Sequence, residues 1–379
     1  RYSHHAITTS LEGKYLPSGL PVILGQRKID DIRSLIASES ARDTQMRIYG
    51  APFANGLLQP DGSFLPWKIE DRMCVDEAMA VEYHPVDWRG TVWEQYLDSL
   101  FAGDEDAAQK KLYLAEFIGA CMHGEATTYE AMTLLKGSGS NGKSVFLDAI
   151  AAAFKGQVSS VPLETLLDRL DLHVGAISAN RFNLVHELSR KELVNSAGLK
   201  SIVSGNETTL NEKFKAPVKV KPIAGWVCNV NELPAMVETT HGDWRRLVVI
   251  KFNHTFTQNS SNVNLRHVLT HNLNWIHSWA QEGYMRLLAQ GNYTNVPSSD
   301  TEKLSWRESS NNVQSFINAY GITADPNLSY QGSLDVEDVY AAYVSHAEKT
   351  GSGKKSQANF LADMRNILST PSLEVRGGP

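Results

Sequence analysis

An α/β fold, a sheet core with helices between its strands, is the architecture this sequence predicts, and three observations carry it. Apolar runs of strand length at Met132 to Leu135, Phe182 to Val185, Ile223 to Val227 and Leu247 to Phe252 alternate with stretches of helical period over residues 130 to 253. The glycine-rich stretch Gly137-Ser138-Gly139-Ser140-Asn141-Gly142-Lys143-Ser144 stands between the first run and the helix-forming Val145 to Phe154. Helical periodicity flanks this core on both sides.

The chain has 379 residues, more than one hydrophobic core comfortably supports, so two or three units are expected. Residues 1 to 85 are strand- and turn-rich, with Asn55-Gly56 and Asp61-Gly62 punctuating apolar stretches as hairpins do. Over 86 to 128 the residues Trp93, Tyr96, Leu97 and Leu100, then Leu112, Leu114, Phe117 and Ile118, predict helices around an acidic break at Gly103 to Asp106. The core is placed at 129 to 300, closing on a helix whose stripe is Leu265, Val268, Leu269, Leu273, Ile276, Trp279 and Leu287. Gly291 and the polar stretch to about Ser310 read as a linker, and 311 to 379 as a small separate domain.

Composition is that of an ordinary soluble globular protein, 42% hydrophobic and 21% charged. A net charge of −6 argues against a surface that coats nucleic acid indiscriminately, so any DNA contact must be local. Cys74, Cys121 and Cys228 are odd in number and widely spaced, which predicts buried thiols rather than disulfides or zinc. No run is long and apolar enough for a membrane span, the start is no signal peptide, and the expected compartment is the cytoplasm. The first residue is not Met, so an excised portion of a longer protein is one expectation.

Gly137 to Ser144 fit the pattern in which glycines let backbone N–H groups close around phosphate oxygens at a helix N-terminus. Lys143 then reaches the β and γ phosphates, and Ser144 offers a hydroxyl to Mg2+. A carboxylate is needed to orient water and help hold the metal; Glu187, closing the run Phe182 to His186, is the expected one, against a plain exposed glutamate at a strand end.

Between Glu187 and Asn231, the stretch Ser204 to Lys221 is a turn followed by alternation. A period of two sets Lys213, Lys215, Lys219 and Lys221 on one face and Phe214, Val218 and Val220 on the other. Such a basic ribbon supplies the local charge that DNA binding requires, with Lys213 and Lys215 nearest the turn. A solvated or lysine-guarded strand edge is the plainer reading.

Taken in order, Gly-Ser-Asn-Gly-Lys-Ser, Glu187, Val230-Asn231-Glu232-Leu233-Pro234 and Trp244-Arg245-Arg246-Leu247 resemble the motifs of superfamily-3 helicases, the AAA+ P-loop ATPases of phage, plasmid and poxvirus primase-helicases. Residues 93 to 122 look like the helical segment preceding the ATPase in that family, and the tail like its winged-helix domain. The resemblance covers about residues 50 to 379; the first fifty read as a linker from a primase or polymerase part fused upstream.

The resemblance implies an ATP- and Mg2+-dependent helicase of phage or plasmid replication, hexameric, acting on single-stranded and forked DNA in the bacterial host cytoplasm. It also implies roles. Asn231 is the polar sensor of the γ phosphate or attacking water, with Asn229 competing; Arg245 or Arg246 is an arginine finger serving the neighbouring subunit, Arg246 slightly preferred because it abuts the next strand. Lys213, Lys215 and Lys219 belong to a hairpin that projects into a central channel. His186 departs from the family, which often carries an acidic or small hydroxyl residue there. The rival reading is an ATPase that assembles at an origin or loads other proteins without processive unwinding. His267, His271 and His277 lack a further ligand for a zinc site, and Trp275 with Trp279 reads as core.

Overall fold

The computed structural model describes residues 50–67, 78–164, 170–188, 196–211, 217–234, 236, 244–256, 264–310, 312–322, 335–350 and 354–368. Its centre is a five-stranded, all-parallel sheet of β4 (Met132–Lys136), β5 (Val158–Ser159), β6 (Phe182–Val185), β9 (Gly225–Val230) and β10 (Leu247–Lys251), in the spatial order β10-β4-β9-β6-β5. Its strands are apolar on both faces, as parallel strands covered on both sides must be. Along them, successive residues feed opposite cores. Leu135, Phe182, Leu184, Val227 and Ile250 join one cluster, whereas Met132, Leu134, Val185, Trp226, Cys228 and Val249 join the other. The run expected at Ile223 to Val227 pairs instead from Gly225 to Val230, which carries its polar end further towards the phosphate loop.

The first core is built from helices α1 (Val92–Leu100), α2 (Ala107–Met122), α3 (Lys143–Ala153), α6 (Leu265–His271), through Leu269, and α7 (Leu273–Gln290). Trp93, Tyr96, Leu97 and Leu100, the stripe expected from the sequence, are the buried face of α1. Helices α2 and α7 approach so closely that a Cβ on Gly283 would stand 2.2 Å from the Ala115 carbonyl carbon, and one on Gly119 would stand 2.3 Å from the Ala280 oxygen. Polar groups on α2 are satisfied where they are buried. Lys110 meets Asp104 at 2.6 Å and Asp106 at 3.3 Å, and Glu116 meets Arg286 at 2.7 Å. The second core holds α4 (Leu170–Ala179) and α5 (Ser196–Val203), through Val174, Ile177, Leu199, Ile202 and Val203.

A three-stranded antiparallel ribbon, β1 (Ala51–Phe53), β2 (Gly56–Leu58) and β3 (Phe64–Pro66), turns at the Asn-Gly and Asp-Gly sites. Strands β7 (Thr208–Leu210) and β8 (Val218–Val220) form a hairpin with Thr209 opposite Lys219. Val220 packs on the second core, but Val218 is 55% exposed because the hairpin has by then run past the core.

The region expected to be a linker after Gly291 is in part a helix, α8 (Pro297–Ser310), preceded by α6 (Leu265–His271) and α7. Its polar surface hides its packing: Trp306 is 3% exposed and lies in the second core. Beyond it, α9 (Asn312–Tyr320), α10 (Val336–Thr350) and α11 (Gln357–Leu368) enclose a core of their own around Phe316, Tyr343 and Phe360. All regular elements of this tail among the described residues are helices. Cys121 and Cys228 are buried free thiols, and Cys74 lies outside the described residues. Among the described residues no helix is long and apolar enough to cross a membrane.

Candidate nucleotide site

The carboxyl ends of β4, β9 and β6 lie side by side, and parallel sheets bind ligands in the crevice beyond such ends. There a cavity of about 390 Å³ is lined by Gly139 to Val145, His186, Glu187, Asn229 and Asn231. Residues far apart in sequence thus converge on one volume of the size nucleotide pockets have.

The loop between β4 and α3 owes its shape to backbone that few side chains tolerate. Gly139, Ser140 and Gly142 have φ of 104°, 49° and 87°. Such left-handed turns gather N–H groups into a concavity suited to anions, and α3 begins there with its positive end towards the cavity. A side chain is excluded at Gly142, where a Cβ would lie 2.5 Å from Leu100 Cδ2. At Gly137 a Cβ would lie 2.0 Å from Asn141 Nδ2.

Several bonds brace the loop from outside. The Tyr96 hydroxyl donates to the Gly142 carbonyl at 2.8 Å, Asn141 Nδ2 donates to Phe252 O at 3.3 Å, and Phe256 N–H donates to Ser140 O at 2.8 Å. Within the loop, Lys143 Nζ donates to Gly137 O at 2.5 Å and Asn141 Oδ1 at 2.9 Å. Burial pushes the Lys143 ammonium down to about 8. Ser144 is exposed at the cavity.

Glu187 and His186 are exposed just past β6. Their place is fixed by the Leu188 N–H, which donates to Asn229 O at 2.9 Å and so extends the β6–β9 pairing. Gly137 N–H donates to Val230 O at 3.2 Å and does the same on the other side. Asn229 and Asn231 therefore sit between the phosphate loop and Glu187. Asn231 is exposed, whereas the buried Asn229 Oδ1 has no hydrogen-bond partner among the described residues. The left-handed loop, with no room for a side chain at Gly137 or Gly142, and the Lys143 ammonium beside it make the residues present fit the phosphates of a nucleoside triphosphate; among the described residues no group of three or more His, Cys, Asp or Glu could hold a metal on its own. Mg2+ would then be held largely by the phosphates, with Ser144 and Glu187 beside them, as is usual for this ion.

Arg245 and Arg246 do not line this cavity. They precede β10, at the opposite end of the sheet, so its five residues separate them from the cavity's end of the strand by roughly 16 Å. Arg246 is held in place: Nε donates to Ser204 Oγ at 3.0 Å, its backbone oxygen accepts Met132 N–H at 2.8 Å, and its side chain is 12% exposed. Arg245 is 58% exposed and meets Glu130 at 2.8 Å.

Of the lysine ribbon, Lys219 is exposed on β8 and paired with Glu207 at 2.9 Å. Lys213 and Lys215 lie outside the described residues. His267 and His271 are exposed neighbours, their rings 4.0 Å apart. Trp279 is core, edge-on to Trp93 at 5.2 Å. Sequence reasoning missed Tyr96 and Glu130: one looked like any core residue and the other like a loop acid, and no spacing relates either to the motif it supports.

Residues 135–246 match a family of unknown function, DUF5906, which spans the cavity-lining segments from β4 to Arg246. A candidate helicase of Acanthamoeba polyphaga mimivirus is 26% identical over 157 residues, 39% of this chain and 16% of that protein. The matched stretch is thus a small part of that relative's length. Among solved structures, the apo form of the NrS-1 C-terminal region is similar, with a TM-score of 0.50 and 16% identity over 77% of this chain and 73% of that one. At that identity the likeness is one of fold.

Proposed function

We propose that this chain is an ATP-hydrolysing DNA helicase of the superfamily-3 type, acting in phage or plasmid replication as a hexameric ring. The observation that carries the reading is the split of its motifs. The loop Gly137 to Ser144, Glu187, Asn229 and Asn231 share one cavity, while Arg245 and Arg246 lie at the other end of the sheet. A site needing arginines it cannot reach is completed by an adjacent copy. The mimivirus relative's helicase name and the NrS-1 likeness in fold support the same class.

In this reading the loop amides and Lys143 hold the β and γ phosphates, and Ser144 with Glu187 holds Mg2+, which offsets phosphate charge when bound. Glu187 orients and deprotonates the attacking water. Asn231, helped by Asn229, fixes that water against the γ phosphate. An arginine from the neighbour stabilises charge spreading over the transferred group.

The β7–β8 region, with Lys219 on β8 and Lys213 and Lys215 in the sequence between the two strands, is the proposed contact to single-stranded DNA. The exposed Lys219–Glu207 pair is weak enough for a phosphate to displace. The winged-helix tail at 311–379, the divisions at residues 85, 128 and 300, the upstream primase or polymerase part and the cytoplasmic site belong to the same proposal.

Strand displacement on a forked duplex tests it. The wild-type chain unwinds with ATP and Mg2+, and Lys143→Ala abolishes both hydrolysis and unwinding. Hydrolysis stimulated by single strands without unwinding would favour an origin-binding or loading ATPase instead, and hydrolysis retained by Lys143→Ala would remove the site assignment.

A further inference from the structure

Helix α8 lies beyond the segment that matches DUF5906, yet it touches three stretches of the cavity's scaffold. Its Ser299 hydroxyl accepts the Val249 N–H at 2.9 Å, satisfying an edge-strand donor on β10. Glu302 pairs with Lys251 at 3.1 Å and with Lys136. Trp306 Nε1 donates to the Pro234 oxygen at 2.7 Å, and its ring stands edge-on to Trp244 at 5.0 Å.

The two lysines occupy equivalent places. Lys136 immediately precedes Gly137, whose oxygen receives Lys143 Nζ at 2.5 Å. Lys251 immediately precedes Phe252, whose oxygen receives Asn141 Nδ2 at 3.3 Å and whose N–H donates to Lys136 O at 2.8 Å. Each lysine is thus the last residue of a stem from which the phosphate loop is hung. Two ammonium groups on adjacent strand ends repel, and Glu302 is the carboxylate between them. Burial raises its pKa, but the hydrogen bonds and charges of Lys136 and Lys251 outweigh burial and leave it below the ordinary range.

The register of α8 argues against simple packing. An amphipathic helix turns its leucine to the core and its glutamate to water. Here Leu304 is 62% exposed and Glu302 13%. The stripe facing the sheet is Ser299, Glu302 and Trp306, and each makes a specific polar bond there.

We infer that Glu302 is a positioning residue for the phosphate loop: by holding Lys136 and Lys251 together it sets the spacing of the loop's two stems, and α8 thereby ties the nucleotide cavity to the C-terminal helices. This rests on the reading of the cavity as an ATP site.

The test uses the full chain with Mg2+, a fluorescent ATP analogue and steady-state hydrolysis. Glu302→Gln raises both the analogue's Kd and the KM for ATP about tenfold, with kcat lowered less than about threefold, because Lys143 and Glu187 are untouched. Asp300→Asn, which removes the Lys303 pair from the same helix, leaves Kd and KM within about twofold. The double variant Lys136→Gln with Glu302→Gln is no worse than the more affected single, since the two act through one contact.

Equal nucleotide affinity in Glu302→Gln and wild type, or strictly additive losses in the double variant, overturns the inference while leaving the ATP reading intact. A wild-type chain that does not bind the analogue overturns that reading itself. Should Glu302→Gln lower the melting temperature by more than about 10 °C, Glu302→Asp carries the test. Its shorter reach raises KM with near-normal melting, and an unchanged KM sinks the proposal.

Discussion

Arg245 and Glu130 form an ion pair at 2.8 Å in which the arginine is the expendable partner, because Arg246 reaches the same carboxylate oxygen at the same distance. Glu130 holds this position in left-handed backbone, at φ 48°, two residues before the strand that leads to the phosphate loop. The sharing separates the two arginines by role. Arg246 is also bound to Ser204, whereas Arg245 can swing away without leaving Glu130 unpaired, as the proposed ring requires of a residue that serves a neighbouring copy.

Arg245→Ala is therefore expected to lower kcat at least about a hundredfold with little change in melting temperature, as loss of an arginine finger does. Arg246→Ala is expected to lower the melting temperature as well. Mixing Arg245→Ala with Lys143→Ala subunits should restore measurable hydrolysis, because some interfaces then join an intact loop to an intact arginine. A mixture as inactive as its components would show that the arginine does not act between subunits.

Lys143 gives a pH dependence whose sign follows from its burial. With its pKa lowered to about 8 in the free protein, the ammonium that must meet phosphate is depleted as pH rises through that value. Bound triphosphate restores the charge, so binding takes up a proton. The Kd for ATP should be roughly tenfold weaker at pH 9 than at pH 7. Calorimetry in buffers of different ionisation enthalpy measures the uptake directly, and a Kd constant from pH 7 to 9 would contradict it.

What could be read from the sequence was whatever depends on local order. Short continuous apolar runs located β4, β6 and β10, and the loop Gly137 to Ser144 announced itself because its glycines are demanded by backbone alone. Helix α8 was legible only in its ends. Pro297 and the acidic Asp300 suit a helix start, but its run of serines and charges carries no apolar stripe, and its packing comes from bonds to distant strands. The brace from Tyr96 to Gly142 was hidden for the same reason, being a contact made across 46 positions. Arg246 adjoins a strand in sequence, but its bond to Ser204 joins residues 42 positions apart and no local pattern announces it.

Asn229 and Asn231 make separable predictions. Asn229 Oδ1 is a buried acceptor without a partner among the described residues, which costs stability in the free protein. Asn229→Ala should leave the nucleotide-free melting temperature unchanged or raise it slightly, while kcat falls at least about tenfold. Asn231→Ala, at an exposed position, should lower kcat without altering stability. A stability loss in Asn229→Ala with normal kcat would make that residue structural and return the sensor role wholly to Asn231.

His277 sets a limit on acid stability. Its Nε2 donates to the Ala153 oxygen at the end of α3, at 2.7 Å, and burial pushes its pKa down from 6.5 to about 4. Burial likewise pushes His123 down to about 3, against the bond to Gln281. Both folded-state values lie below the unfolded one, so between pH 6.5 and about 4 the unfolded chain binds protons that the native chain refuses. Stability from this source is complete above pH 6.5 and declines as pH falls through that window. His277 alone should account for on the order of 2 kcal/mol of the loss between pH 7 and pH 5. Replacing it with glutamine keeps a donor for Ala153 but removes the titration. In urea unfolding at the two pH values, His277→Gln should lose less stability than wild type by about that amount, and parallel losses in the two proteins would mean that His277 is protonated in the native state.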